Sequence, residues 1–172
     1  MNNIEIVSLL PEDWQQYRDL RLRALKEEPQ AFGSTYEDNS KHPDEYWQQR
    51  LEDTINKSTQ WLVFARLNGV LVGMVGAFTE KEPDNARVIA VYVTPDTRGK
   101  GISKMLMKEL LARIKTNDNI KKITVDVNPE QEAALNLYKN SGFQIIKKYR
   151  MVLGDGKEHD VCKLQMFANA VL

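Results

Sequence analysis

The sequence predicts an α/β domain: a mixed β-sheet of about six to seven strands flanked by about four helices. Three observations carry that expectation. The hydrophobic period switches along the chain in the order strand, helices, three strands, helix, strand, helix, two strands. The run Val88-Ile89-Ala90-Val91-Tyr92-Val93 is almost wholly apolar, as in a strand covered on both faces. It leads through two glycines into the clearest amphipathic helix, which implies a strand–helix–strand crossover of right-handed sense.

The elements follow in order. Apolar and polar residues alternate over 4–9, which reads as a first strand. Pro11, Glu12 and Asp13 begin a helix with Trp14, Tyr17, Leu20 and Ala24 on one face, and Glu27, Glu28 and Pro29 end it. Residues 32–41 have no period and read as a loop. Pro43 suits the first turn of a second, short helix that buries Trp47 and Leu51. Residues 60–66 and 70–79 form a hairpin turning at Asn68-Gly69, and 81–87 read as a polar turn. After the run at 88–93, a helix over 102–114 aligns Ile102, Leu106 and Leu110, widened by Leu111 and Ile114. Its Lys104, Lys108 and Lys115 face water. A strand at 123–128 precedes a helix at 132–140, stopped by Ser141-Gly142 with Gly142 as a left-handed cap. Strands at 144–150 and 159–167, joined through Gly154-Asp155-Gly156, complete one domain over 1–172.

Bulk composition narrows the function. The 172 residues carry 24 Lys+Arg and 24 Asp+Glu, so no basic excess points to nucleic acid. A chain of this length buries about 70% of its unfolded surface without staples. Cys162 is the sole cysteine and has no internal disulfide partner. With His42 and His159 far apart in sequence, no metal site is expected. The N-terminal residues lack the charged and apolar regions of a signal peptide. The apolar stretch at 61–78 is interrupted by Arg66, Asn68 and Gly69, so a hairpin is expected there and not a membrane span. A cytoplasmic protein with no membrane partner is the expectation.

The chemistry gathers at Arg98-Gly99-Lys100-Gly101-Ile102-Ser103. A strand that turns through glycines into a helix N-terminus offers free N–H groups and a favourable dipole to a diphosphate. Lys104 stands where a dinucleotide fingerprint needs its third glycine. A phosphate-binding loop of the Walker type needs four residues between its glycines, and here there is one. Both common nucleotide readings fail on spacing, which leaves a ligand-free glycine turn as the plain alternative.

Together with Val91, Tyr92 and Val93, this stretch resembles the acetyl-CoA-binding motif of the GNAT superfamily of N-acetyltransferases. The family pattern is Gln/Arg-x-x-Gly-x-Gly/Ala after an apolar strand. Arg98 and Gly101 match, and Ser103 replaces the usual glycine or alanine. Asn128-Pro129-Glu130-Gln131-Glu132-Ala133-Ala134-Leu135-Asn136-Leu137-Tyr138, followed by Ser141-Gly142-Phe143, is similar to the family's second motif, with Gln131 where asparagine is more frequent. Residues 28–37 and 156–166 also resemble parts of the superfamily.

The resemblance implies a fold with a V-shaped gap in its sheet and acetyl-CoA as donor, with no metal. Arg98, Gly99, Lys100, Gly101, Ile102 and Ser103 would cradle the diphosphate. Val91, Tyr92 and Val93 would pair with the pantetheine arm and turn a backbone N–H toward the thioester carbonyl. Asn128, Gln131 and Ala134 would line the other side. The acetyl group would pass directly to an amine of a small molecule or a protein N-terminus, with Tyr138 as general acid to the leaving thiolate. An aromatic core role is the alternative for Tyr138, which shares a helical stripe with Ala134. Glu37 and Asp126 are the candidate bases, with Asp38 beside the first, and solvated or structural carboxylates are the alternative for each. Phe32, Tyr36 and Trp47 are expected to shape the acceptor pocket. The expected partners are acetyl-CoA and the amine, with a homodimer left open beside the monomer. A non-catalytic acetyl-CoA-binding or sensing module is the competing function.

Overall fold

Seven strands pair into one mixed sheet in the computed structural model, which describes residues 3–82 and 84–169. They are β1 (Ile4–Val7), β2 (Gln60–Leu67), β3 (Val70–Thr79), β4 (Asn85–Val93), β5 (Lys122–Val127), β6 (Gln144–Val152) and β7 (Glu158–Phe167). The spatial order is β1-β2-β3-β4-β5-β7-β6, with β4 and β5 parallel and the other neighbours antiparallel. The helices are α1 (Trp14–Glu27), α2 (Tyr36–Ser40), α3 (Asp44–Asn56), α4 (Ile102–Lys115) and α5 (Glu132–Asn140). None of them, among the described residues, is long and apolar enough to cross a membrane.

The sheet separates two cores. On one side Ile102, Leu106, Leu110 and Ile114 of α4 pack with Val63, Val75, Val88, Ile123 and Leu164. Each such buried aliphatic side chain contributes about 1.5–3 kcal/mol of transfer free energy. On the other side Tyr17, Leu20 and Leu25 of α1 and Trp47 and Leu51 of α3 pack with Phe64, Met74 and Tyr92. β4 therefore has apolar neighbours on both faces, as its sequence implies.

Several boundaries differ from the sequence reading, each for a local reason. β1 ends at Val7, and Leu9 is buried in the connection that follows. A 3-10 turn (Pro11–Asp13) precedes α1. The expected loop at 32–41 contains α2, capped by Thr35, whose hydroxyl accepts the Asp38 N–H at 3.0 Å. Pro43 caps α3 from outside its first turn, and that helix runs 13 residues. Asn85, Ala86 and Arg87 belong to β4 and not to a polar turn. β6 and β7 each reach further into their hairpin than expected.

Two departures from regular pairing make room for a site. β4 and β5 pair only from Asn85 with Lys122 to Val88 with Val125, and beyond that they splay. In β4, Met74 faces Tyr92 while Gly76 faces Ile89, so Ala90 and Val91 together oppose Val75. This bulge holds Ala90 at φ 57°, a left-handed backbone that alanine adopts at a cost of about 1–2 kcal/mol.

The turn between β6 and β7 closes onto the chain after α1. The Gly154 N–H donates to the Phe32 carbonyl at 2.7 Å. A Cβ at residue 154 would lie 2.6 Å from the Ser34 carbonyl oxygen and 2.8 Å from that of Pro29, both backbone. Gly154→Ala is thus expected to cost about 1–3 kcal/mol, because neither strand turn nor loop can yield cheaply. Calorimetry should show a melting temperature lower by several degrees, and an unchanged value would mean that the contact is loose in solution.

Candidate active site

The splay between β4 and β5 opens into a cleft of about 730 Å³. One wall is the end of β4 and the loop that follows it. Thr94 and Thr97, both buried, join their hydroxyls at 2.8 Å and set the turn. Arg98 Nε donates to the Val93 carbonyl at 3.0 Å, and its Nη2 pairs with Glu28. Asp96 pairs with Arg23 at 3.3 Å. These ties fix the loop on β4 and α1 before α4 begins.

Gly99 and Gly101 take φ 78° and 76°, and a Cβ at either would meet no protein atom within 4 Å. Glycine is needed here for its backbone, and the space in front of it is open. Among the described residues the N–H groups of Gly99, Lys100 and Gly101 reach no acceptor. The first-turn N–H groups of α4 are free by helix geometry. The result is a concave row of donors at the positive end of a 14-residue helix, suited to a diphosphate.

The opposite wall comes from the end of β5 and from α5. Asn128 is buried, accepts the Glu130 N–H at 3.0 Å and meets His159 Nδ1 at 3.3 Å. His159 in turn meets Asp155 at 2.8 Å. Gln131 is the N-cap residue of α5, and Ala134, Leu137 and Tyr138 also line the cleft. The Gly142 N–H bonds the Lys139 carbonyl and the Phe143 N–H bonds that of Tyr138, which is the paired bonding of a Schellman end with Gly142 at φ 100°. That cap brings Phe143 edge-on to Tyr138, at 6.0 Å between centroids, and so fixes the tyrosine ring. Tyr138 is 4% exposed, and its hydroxyl has no hydrogen-bond partner among the described residues. Burial raises its ionisation above the ordinary phenol range, so it remains a proton donor.

The sequence-derived residues divide clearly. Val91, Tyr92, Val93, Arg98, Gly99, Gly101, Ile102, Ser103, Asn128, Gln131, Ala134 and Tyr138 all line this cleft. Lys100 stands on the exposed outer side of the loop. The Tyr92 side chain turns into the core on the α1 side, where its hydroxyl donates to Glu27. Asp126 reaches the cleft but is held by Arg87 at 2.5 Å. Glu37 stands exposed on α2, outside the lining. Phe32 lines the cleft, whereas Trp47 is 1% exposed in the core and Tyr36 is turned to solvent.

Arg21, Met151 and Leu153 also line the cleft, and the sequence motifs do not point to them. For Arg21 a signal exists: it falls between Tyr17 and Leu25 on the buried stripe of α1, where a charge is out of pattern.

The geometry suits an extended ligand with an anionic end, threaded between two strands. The family model described as the acetyltransferase (GNAT) family matches residues 12–143. The chain belongs to the GNAT acetyltransferase family. It is accordingly an acyltransferase, with acetyl-CoA as acetyl donor. Among relatives of the GNAT chain is the L-amino acid N-acetyltransferase AaaT of Escherichia coli (strain K12), 27% identical over 140 residues, which are 78% of this chain and 83% of that protein. The structure of yncA from Salmonella typhimurium, solved with its cofactor acetyl-CoA, superposes with a TM-score of 0.82 at 15% identity, covering 99% of this chain and 96% of that one. The ribosomal-protein-alanine N-acetyltransferase of Brucella melitensis gives 0.79 at 19% identity, covering 95% and 99%. Both structures share the GNAT fold of this sheet.

Proposed function

We propose that the chain is a single-domain, cytoplasmic N-acetyltransferase that moves the acetyl group of acetyl-CoA directly to a primary amine in a ternary complex. The observation that carries this reading is the shared cleft: the donor row at Gly99–Gly101, the unpaired edge of β4 and the Tyr138 ring all face one space. In this reading the N–H groups from Gly99 to Ser103 hold the diphosphate, with Arg98 anchoring the loop. Val91, Tyr92 and Val93 offer backbone groups to the pantetheine arm, and an N–H near Tyr92 or Val93 faces the thioester oxygen as it gains charge. Asn128, Gln131 and Ala134 bound the arm from the other side.

The donor supplies an activated acetyl thioester. The amine nitrogen bonds the carbonyl carbon as the C–S bond breaks, the nitrogen loses a proton, and Tyr138 gives one to the departing sulfur. Asp126 is the better supported of the two candidate bases, because it lines the cleft and Glu37 does not. The acceptor is a small-molecule amine or a protein N-terminus; the E. coli relative is named for the first and the Brucella neighbour for the second. For a homodimer the support is the outermost strand β6, with Ile146 and Val152 exposed.

Acetyl-CoA at a hundred times its dissociation constant is expected to stabilise the folded state by about 2.7 kcal/mol. A melting temperature higher by several degrees follows, together with thiol release when a panel of amines is added. No shift at millimolar acetyl-CoA would reject the reading. Binding without thiol release from any amine would favour a sensing module.

A further inference from the structure

Among the described residues, two of the six charged side chains that line the cleft, Arg21 and Glu132, have no ion-pair partner. Arg98 is matched by Glu28, and Arg87 by Asp126. Arg21 has no carboxylate within ion-pairing distance among the described residues. Its guanidinium lies over the Phe32 ring, 5 Å away to the nearest ångström (4.9 Å to the centroid), and Nη2 donates to the Ser34 hydroxyl at 3.1 Å. Nη1 is sealed from solvent and has no acceptor. The nearby titratable groups are Tyr17, Tyr46 and the like-charged Arg50, none of which neutralises it.

A half-buried cation without an anion costs free energy, and so does each unmet donor. Such an outlier on the wall of a binding cleft calls for a ligand. A guanidinium presents two parallel N–H groups that fit the two oxygens of a carboxylate. Phe32, Ile89, Met151 and Leu153 give the same lining apolar side chains, beside the polar Gln30, Ser34 and Asn128.

We propose that Arg21 binds the carboxylate of the acceptor, so that the amine substrate is a free amino acid with an apolar side chain. This rests on the acetyl-transfer reading above, and it chooses between that reading's two acceptors. In a protein N-terminus the α-carboxylate has become an amide, which leaves Arg21 without its anion.

The test uses the intact protein with L-leucine, L-methionine and L-phenylalanine. Each is compared with its carboxamide, its decarboxylated amine and a short peptide that begins with it. Thiol release should give kcat/KM at least about tenfold higher for the free acids, the scale of a charge-assisted pair. Arg21→Met should erase that preference by raising the KM for acids, while the KM for acetyl-CoA moves less than threefold. Arg21→Lys, which keeps the charge and loses the fork, should retain part of the preference. It carries the comparison by itself if the methionine variant does not fold, and an undiminished preference there would overturn the proposal. Equal rates for acids and peptides in the unmodified protein, or an equal loss for all substrates in Arg21→Met, would also overturn it. Calorimetric titration of L-leucine into the CoA-loaded protein separates the two readings. Binding without any turnover rejects acetyl transfer and keeps Arg21 as a carboxylate site; neither binding nor turnover of the acids rejects the carboxylate site.

Discussion

Tyr138→Phe is expected to lower kcat by a factor of about 10² or more, the scale of a lost general acid. The fold should hardly change. The hydroxyl makes no hydrogen bond among the described residues, and the ring that Phe143 supports is kept. Acetyl-CoA affinity should stay within about threefold, since the group acts on the departing sulfur and not on the bound donor. Because burial holds the phenol protonated above its ordinary range, the acid is not lost as pH rises through 8 or 9. The alkaline side of the rate profile should therefore be no steeper in the enzyme than in Tyr138→Phe. Steady-state kinetics with thiol detection, beside calorimetric binding, measures both. A variant as fast as the parent would return Tyr138 to the core.

Gly101→Val is expected to remove measurable acetyl-CoA binding at concentrations that saturate the parent. A β-branched residue at φ 76° is strained by at least about 1–2 kcal/mol. The larger effect falls on the ligand. No protein atom lies within 4 Å of the new Cβ, so its methyl groups stand in the open space before the N–H donors. The chain should thus still fold, with a melting temperature only several degrees lower, while titration calorimetry records no heat. Unchanged affinity would show that the loop shapes α4 and nothing more.

Much of this was legible in the residues. The α4 stripe was, because six buried residues recur at helical spacing on an otherwise charged helix. The end of α5 was, because Ser141-Gly142 has one strong meaning after a helix. The cradle followed from glycines between a strand and a helix. What escaped was polar structure that depends on partners far along the chain. Asn85 and Arg87 look like a turn until Glu80, Thr124 and Asp126 are placed around them. α2 was hidden because its five residues show no period, although Thr35 and Asp38 carry a cap signature. The position of Glu37 in its segment suggests the cleft, and the turn of α2 carries it outside. Arg21 is hidden in the sequence because helical periodicity is carried by the apolar positions around it and a single charge among them leaves that period unchanged.

The extra residue in β4 has a consequence for which lengths of chain this site tolerates. Before it, Ala86 and Val88 point to the α4 side; after it, Val91 and Val93 do, while Ala90 and Tyr92 point to α1. Odd and even positions exchange roles at Ala90. Deleting that one residue would send the Tyr92 ring toward α4 and take its hydroxyl from Glu27, and an insertion would do the same from the other direction. Residues added to or removed from the hairpin turns on either side would leave this exchange intact, whereas a change in the nine residues from Asn85 to Val93 would not.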